Sequence, residues 1–250
     1  MKIGNHNINY AKFGHGPHCI VCIPGALGTI TSHYKDQIDG FDKEKFTIVS
    51  FDPVGFGKSY PLEKIFVKSN YEQDADTAYE LMKRLNIPKY SCLGWSAGGA
   101  ASLILAGKYP HAIHKLVVWG TNAFVLEEDI ANYRKIQDVE RWSTHILKQR
   151  MIETYGKEKF AQYWYKWVGQ MADVLEADPD ICKDLLKNIS CPTFILHGER
   201  DAIAHISHVA FLCNHIKNAK SYVYPMGKHD IHMQYVEDFN QRVQEFLLEK

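Results

Sequence analysis

The stretch Tyr90-Ser91-Cys92-Leu93-Gly94-Trp95-Ser96-Ala97-Gly98 sets an apolar run directly against a G-x-S-x-G turn, and the helix-like segment Gly99 to Tyr109 follows. Strand, tight turn and helix are the context in which such a serine becomes a nucleophile. The turn strains Ser96 and points its hydroxyl out of the strand end. Gly94 and Gly98 flank it because the turn leaves no room there for side chains. By chance the pattern also occurs in ordinary glycine-containing loops, so the rest of the chain must carry the partners that a serine needs.

On either side of this stretch, short apolar runs alternate with helical patterns. Ile8 to Phe13 reads as an early strand, Cys19 to Ile23 as a buried strand ending at Pro24-Gly25, and Phe46 to Phe51 as another ending at Asp52-Pro53. Asp74 to Leu85 has helical spacing through Ala75, Ala78, Leu81, Met82 and Leu85. Lys115 to Trp119, Thr193 to Leu196 and Ser221 to Tyr224 are further strands, and Val236 to Leu248 closes the chain as an amphipathic helix. Continuous apolar strands alternating with helices imply an α/β fold with a mostly parallel, doubly wound sheet covered on both faces. The alternation breaks once. Residues 124–188 contain no strand candidate and are rich in aromatics, which predicts a helical cap inserted into a core made of residues 1–123 and 189–250.

A serine hydroxyl is a weak nucleophile at neutral pH and needs a base, which needs an orienting acid. The strand Thr193 to Leu196 runs into His197-Gly198-Glu199-Arg200-Asp201, and the last strand into Pro225-Met226-Gly227-Lys228-His229. Both are loops at strand carboxyl ends, on the same edge as Ser96. Asp201 is the candidate acid, ahead of Glu199, and His229 the candidate base. His232, one helical turn on, reads as a structural histidine. His229 and His232 lack the further ligands that a zinc site requires, so no metal is expected. The developing oxyanion needs two backbone N–H donors. One is Ala97; the other is Ala26 or Leu27, in the glycine-bounded loop Pro24-Gly25-Ala26-Leu27-Gly28. The turn from Asp52 to Ser59 lacks the spacing of a phosphate loop and reads as support for that loop. Gly25, Trp95, Asn122, Trp142, Trp164 and Trp167 are the candidates for contact with substrate.

The chain of 250 residues has no net formal charge, with basic and acidic residues interspersed, so neither a nucleic-acid nor a membrane-binding surface is indicated. No segment reaches the about 20 apolar residues of a membrane span. The first residues carry no signal-peptide pattern, and the six cysteines read as buried thiols of a reducing compartment. Cys19 and Cys22 fall on opposite faces of their strand. These features predict a monomer in the cytoplasm, or in mitochondria if a transit peptide has been removed.

Taken together, Pro24-Gly25-Ala26-Leu27-Gly28, Asp52-Pro53-Val54-Gly55-Phe56-Gly57, Leu93-Gly94-Trp95-Ser96-Ala97-Gly98-Gly99, Trp119-Gly120-Thr121-Asn122-Ala123, His197-Gly198-Glu199-Arg200-Asp201 and Gly227-Lys228-His229 resemble the α/β-hydrolase superfamily. Over nearly its whole length the chain is similar to the biphenyl hydrolase-like proteins, also called valacyclovir hydrolases. The resemblance implies a cofactor-free serine hydrolase acting on small esters, with α-amino acid esters favoured. One position departs from it. The family's amino-acid-ester hydrolases carry an Asp just after the nucleophile, where its carboxylate meets the substrate ammonium; this chain has Ala97. Neutral acyl groups therefore fit better than aminoacyl groups. Carbon–carbon bond hydrolysis, lactone hydrolysis, or ligand binding with slow turnover remain possible on the same scaffold.

Overall fold

The computed structural model describes residues 1–59, 66–142 and 145–249. Two short strands, β1 (Lys2–Ile3) and β2 (His6–Asn7), form a hairpin ahead of the main sheet. The sheet then builds from β3 (Tyr10–Phe13), β4 (His18–Ile23), β5 (Phe46–Phe51), β6 (Tyr90–Trp95), β7 (Ile113–Trp119), β8 (Thr193–Gly198) and β9 (Ala219–Tyr224). Their spatial order is β3-β5-β4-β6-β7-β8-β9, with only β3 antiparallel to its neighbour. The strand read from Ile8 to Phe13 begins later, at Tyr10, and Ile8 and Asn9 fall between β2 and β3. Several strands run a residue or two past their apolar cores, because Trp95, His197 and Gly198 still hold ladder positions.

Helices α1 (Ile30–Gly40), α2 (Ser69–Arg84), α3 (Ala97–Lys108), α7 (Ser207–His215), the short α8 (Ile231–Gln234) and α9 (Val236–Leu248) accompany the sheet, and α4 (Glu127–Lys135), α5 (His145–Tyr155) and α6 (Lys157–Ala177) lie between β7 and β8. Helix α2 begins earlier than its apolar spacing shows, since the first turn is polar except for Tyr71. The strands β5, β6 and β8 are buried at every position, as expected of parallel strands covered on both faces. Helix α3 is buried from Gly98 to Gly107; its small residues let it lie close against the sheet.

Between β7 and β8 the only strand-like pairing among the described residues is a single bridge, Phe124 with Asp180. Beside it, Val125 N–H donates to Pro179 O, and the N–H groups of Ile181 and Cys182 both donate to Ala123 O. The segment therefore leaves and rejoins the core at one place. Residues 143 and 144, inside the expected cap, lie outside the described residues. All six cysteines are free. No helix of the described residues is long and apolar enough to cross a membrane.

Candidate active site

Strand β6 lies between β4 and β7. The chain moves outward in opposite directions from β4 and β6, so their carboxyl ends open onto the crevice where such sheets bind ligands. Ser96 ends β6 with φ +56° and ψ −124°, a region that non-glycine residues rarely adopt. Its N–H donates to Trp119 O at 3.0 Å and Thr121 Oγ1 donates to its carbonyl at 2.9 Å, so both neighbouring groups hold the turn. A side chain at Gly94 would meet Ser102 Oγ at 2.1 Å, and one at Gly98 would meet Ile23 O at 2.1 Å. Neither contact can relax without moving the turn.

His229 Nε2 stands 2.9 Å from Ser96 Oγ, and His229 Nδ1 stands 2.8 Å from Asp201 Oδ2. With its Nδ1 proton given to Asp201, the imidazole has Nε2 free to accept the serine proton. Asp201 Oδ1 accepts from the N–H groups of Ile203 and Ala204. Burial alone would raise the Asp201 carboxyl, but the charge and hydrogen bond of His229, with His197 and the Ile203 N–H, hold it below its ordinary value. Glu199 is exposed and has no comparable contact with His229. His197, fully buried, donates from Nε2 to Ala204 O and lies 3.8 Å from Asp201. Burial lowers its pKa, so it stays neutral beside the acid loop.

The second histidine of the pair is spoken for. His232 Nδ1 accepts from Trp119 Nε1 at 2.9 Å and its Nε2 donates to His33 O at 3.2 Å. Burial, then the nearby His33 and His229, push its pKa well below the ordinary value. Both nitrogens of each ring, His229 and His232, are committed within the protein.

A cavity of about 330 Å³ opens over Ser96. Of the expected contact residues, Trp95, Ser96, Ala97, Asn122, Trp142, Trp164 and Trp167 line it, as does Ala26. Leu27 does not: it is fully buried at φ +57°, with its carbonyl accepting from Tyr155 Oη at 2.7 Å. Gly25 lies behind the wall, where a side chain would reach Ser96 Cβ at 3.2 Å. Its N–H donates to His33 Nδ1 at 3.1 Å. The indole N–H groups of Trp142 and Trp164 both donate to Ile136 O, which satisfies their polar ends. Trp142 meets Trp164 edge-on and Trp164 stacks on Trp167, at centroid distances of 4.7 and 5.1 Å. The result is a rigid apolar wall.

The turn from Asp52 to Ser59 braces the loop after β4. Asp52 Oδ1 accepts from Ile30 N–H at the start of α1, and Oδ2 from Asn9 Nδ2 and Lys58 N–H. Tyr155 on α5 completes the brace, accepting from Gly57 N–H at 3.0 Å while donating to Leu27 O. His33, Tyr133, Arg141 and Asp230 also line the cavity; Tyr133 is one of the aromatics of residues 124–188, whereas no motif marks the other three, because a polar residue becomes a lining residue only through tertiary placement.

Residues 19–137 match the family model described as alpha/beta hydrolase fold. Serine hydrolase BPHL of Homo sapiens is 38% identical over 99% of this chain and 85% of its own length. A hydrolase of Pseudomonas sp. named for 2-hydroxy-6-oxononadienedioate and 2-hydroxy-6-oxononatrienedioate is 25% identical over 97% of this chain and 92% of its own. Among solved structures, a thermophilic esterase of Thermogutta terrifontis superposes with a TM-score of 0.72 at 24% identity, covering 96% of this chain and 92% of that one. A sheet with Ser96 at its central crevice and a relative 38% identical over 99% of this chain place it in the α/β-hydrolase family, among the biphenyl hydrolase-like serine hydrolases.

Proposed function

We propose that the protein is a carboxylic-ester hydrolase that works through an acyl-enzyme on Ser96. The observation that carries this is the continuous hydrogen-bonded line from Ser96 Oγ through His229 to the buried Asp201, ending in a cavity walled by tryptophans. Ser96 attacks the ester carbonyl as His229 Nε2 takes its proton. Asp201 fixes the imidazole tautomer and stabilises its charged form. The N–H groups of Ala97 and Ala26 receive the oxyanion; Ala26 is assigned over Leu27 because it is the one on the cavity surface. His229 then returns the proton to the departing alkoxide, and a water molecule activated by the same base frees the acid. No step uses a cofactor. The helical segment 124–188 acts as the cap that supplies the apolar wall, and Ala97 directs preference toward acyl groups without an ammonium.

Ser96→Ala and His229→Ala each reduce kcat on a small neutral ester by about 10³-fold or more, to a similar floor, because the residues act as a unit. A fluorophosphonate probe labels the wild type and not Ser96→Ala. Substantial turnover by Ser96→Ala overturns the assignment, and labelling without turnover of any ester in a panel marks a receptor instead.

A further inference from the structure

Asp129 lies in the first turn of α4, the first helix of the inserted segment. Its carboxylate is fully buried and takes three donors. Oδ2 accepts from Leu126 N–H at 2.8 Å and faces His208 Nε2 at 2.7 Å, and Oδ1 accepts from His205 N–H at 3.0 Å. Only the first of these bonds belongs to the start of the helix. In α1 the equivalent residue is Ser32, whose hydroxyl accepts from Thr29 N–H at 2.9 Å, so a short neutral side chain is enough for that task. An enclosed carboxylate is far more costly to bury. What the acid adds over a serine is reach. It crosses from the inserted segment to the stretch of core that leads from β8 into α7.

That stretch also carries the donors that hold Asp201. Ile203 and Ala204 give their N–H groups to Asp201 Oδ1 at 2.8 and 3.0 Å, and the next residue, His205, gives its own to Asp129. Three successive N–H groups are thus shared between two buried carboxylates. The other oxygen of Asp201 faces His229, so the place of this loop sets how the acid meets the imidazole. We infer that Asp129 is a positioning residue for Asp201, anchoring the far side of the loop whose N–H groups orient it, an inference that rests on the serine-hydrolase reading above. His208 fixes the anchor in turn: it is fully buried, and the ring of Phe124 meets it edge-on at 4.9 Å. Docking of α4 on the core and alignment of the acid on His229 are then one event.

The test compares Asp129→Ser with Asp129→Asn. The serine keeps an acceptor for Leu126 N–H, as Ser32 does in α1, and is too short for His205. The asparagine keeps an oxygen within reach of His205. Both variants lose the buried charge, and both are expected to lower Tm. With kcat counted per site labelled by a fluorophosphonate, Asp129→Ser is expected to fall about 10-fold with KM within about threefold, since a small displacement of a group aligned for reaction is felt mainly in the chemical step. Its rate of fluorophosphonate labelling should fall in parallel. Asp129→Asn should stay within about threefold of the wild type in both. A lower Tm with kcat per labelled site unchanged in Asp129→Ser, equal losses in the two variants, or a rise in KM at constant kcat overturns the inference. Should Asp129→Ser fail to fold, Asp129→Glu decides. It keeps the charge but moves it by one methylene; a loss of kcat at constant KM supports the inference and an unchanged kcat overturns it. If the wild type labels but turns over no ester, the ester-hydrolase reading fails while the labelling rates still decide the role of Asp129.

Discussion

Ala97 lies one residue past Ser96, where its backbone and its side chain do separate jobs. Any residue there supplies the N–H, whereas only an acid supplies a counter-charge to an amine on the acyl group. A carboxylate at this position is worth about 1–3 kcal/mol toward a bound ammonium. Ala97→Asp should therefore raise kcat/KM for an α-amino ester by roughly 10- to 100-fold relative to its neutral isostere. An equal change on both substrates would show that position 97 does not face the amine. At this scale the sequence was most legible where a role demands a side chain in a fixed local frame. Ser96 sits between obligatory glycines, and Asp201 and His229 follow strand ends, so motif spacing was enough to nominate them. The choice between Ala26 and Leu27 was not legible, because a backbone donor leaves no mark on residue type. Asp230 and His33 were invisible for another reason: nothing near them in sequence distinguishes a polar residue in a cavity wall from one on the surface.

At the scale of elements, the strands of the sheet were legible because burial on both faces writes a continuous apolar run. Helices α1 and α7 were not. In α1 the inward face carries Ser32, His33 and Gln37 as well as Ile30, Tyr34 and Ile38, which blurs the apolar period. Those polar groups are there for contacts across the chain, such as Gln37 Nε2 with His232 O and Asn240 Oδ1. Helix α5 has a similar long-range duty through Tyr155, whose hydroxyl ties the loop after β4 to the turn after β5. Tyr155→Phe keeps the ring and removes both hydrogen bonds. It should lower kcat by about 10-fold with little change in KM, because a misplaced oxyanion donor is felt mainly in the transition state. Steady-state kinetics on one neutral ester check this, and a rise in KM at constant kcat would mean that the tyrosine serves binding instead.

For the molecule as a whole, the enclosed histidines set the response to acid. Burial, then the charges of His229 and Arg150, hold His33 down to about 3, and His232 is likewise well below its ordinary value. In the unfolded chain both rings take up protons below about pH 6.5. The unfolded state then binds more protons than the folded one, so stability falls as pH drops from there toward the folded values. At pH 5 the His33 ring costs on the order of 2 kcal/mol, and His232 adds in the same direction. Asp201 acts in the same direction in a lower window, its contribution being lost as pH falls from about 3.9 through its depressed folded value. His232→Asn keeps an acceptor for Trp119 but cannot be protonated. It should lower Tm at pH 7 and yet lose less Tm between pH 7 and pH 5 than the wild type. Parallel Tm curves in differential scanning calorimetry would show that this ring does not drive the acid response.

The meeting of Phe124 with Asp180, flanked by Ala123, Val125, Pro179 and Cys182, has a kinetic meaning. A long excursion between two neighbouring strands ordinarily slows their pairing, since the chain entropy of closing the loop must be met before β7 and β8 gain any contact. Clasping the two ends of the excursion shortens the effective loop to residues 120–122 on one side of the clasp and 183–192 on the other. The register of β7 on β8 is then nearly independent of what the intervening residues do, and of how many there are. Residues can be added to or removed from the excursion beyond the clasp at an entropic cost that grows only slowly with length, while the order in which the sheet assembles stays the same.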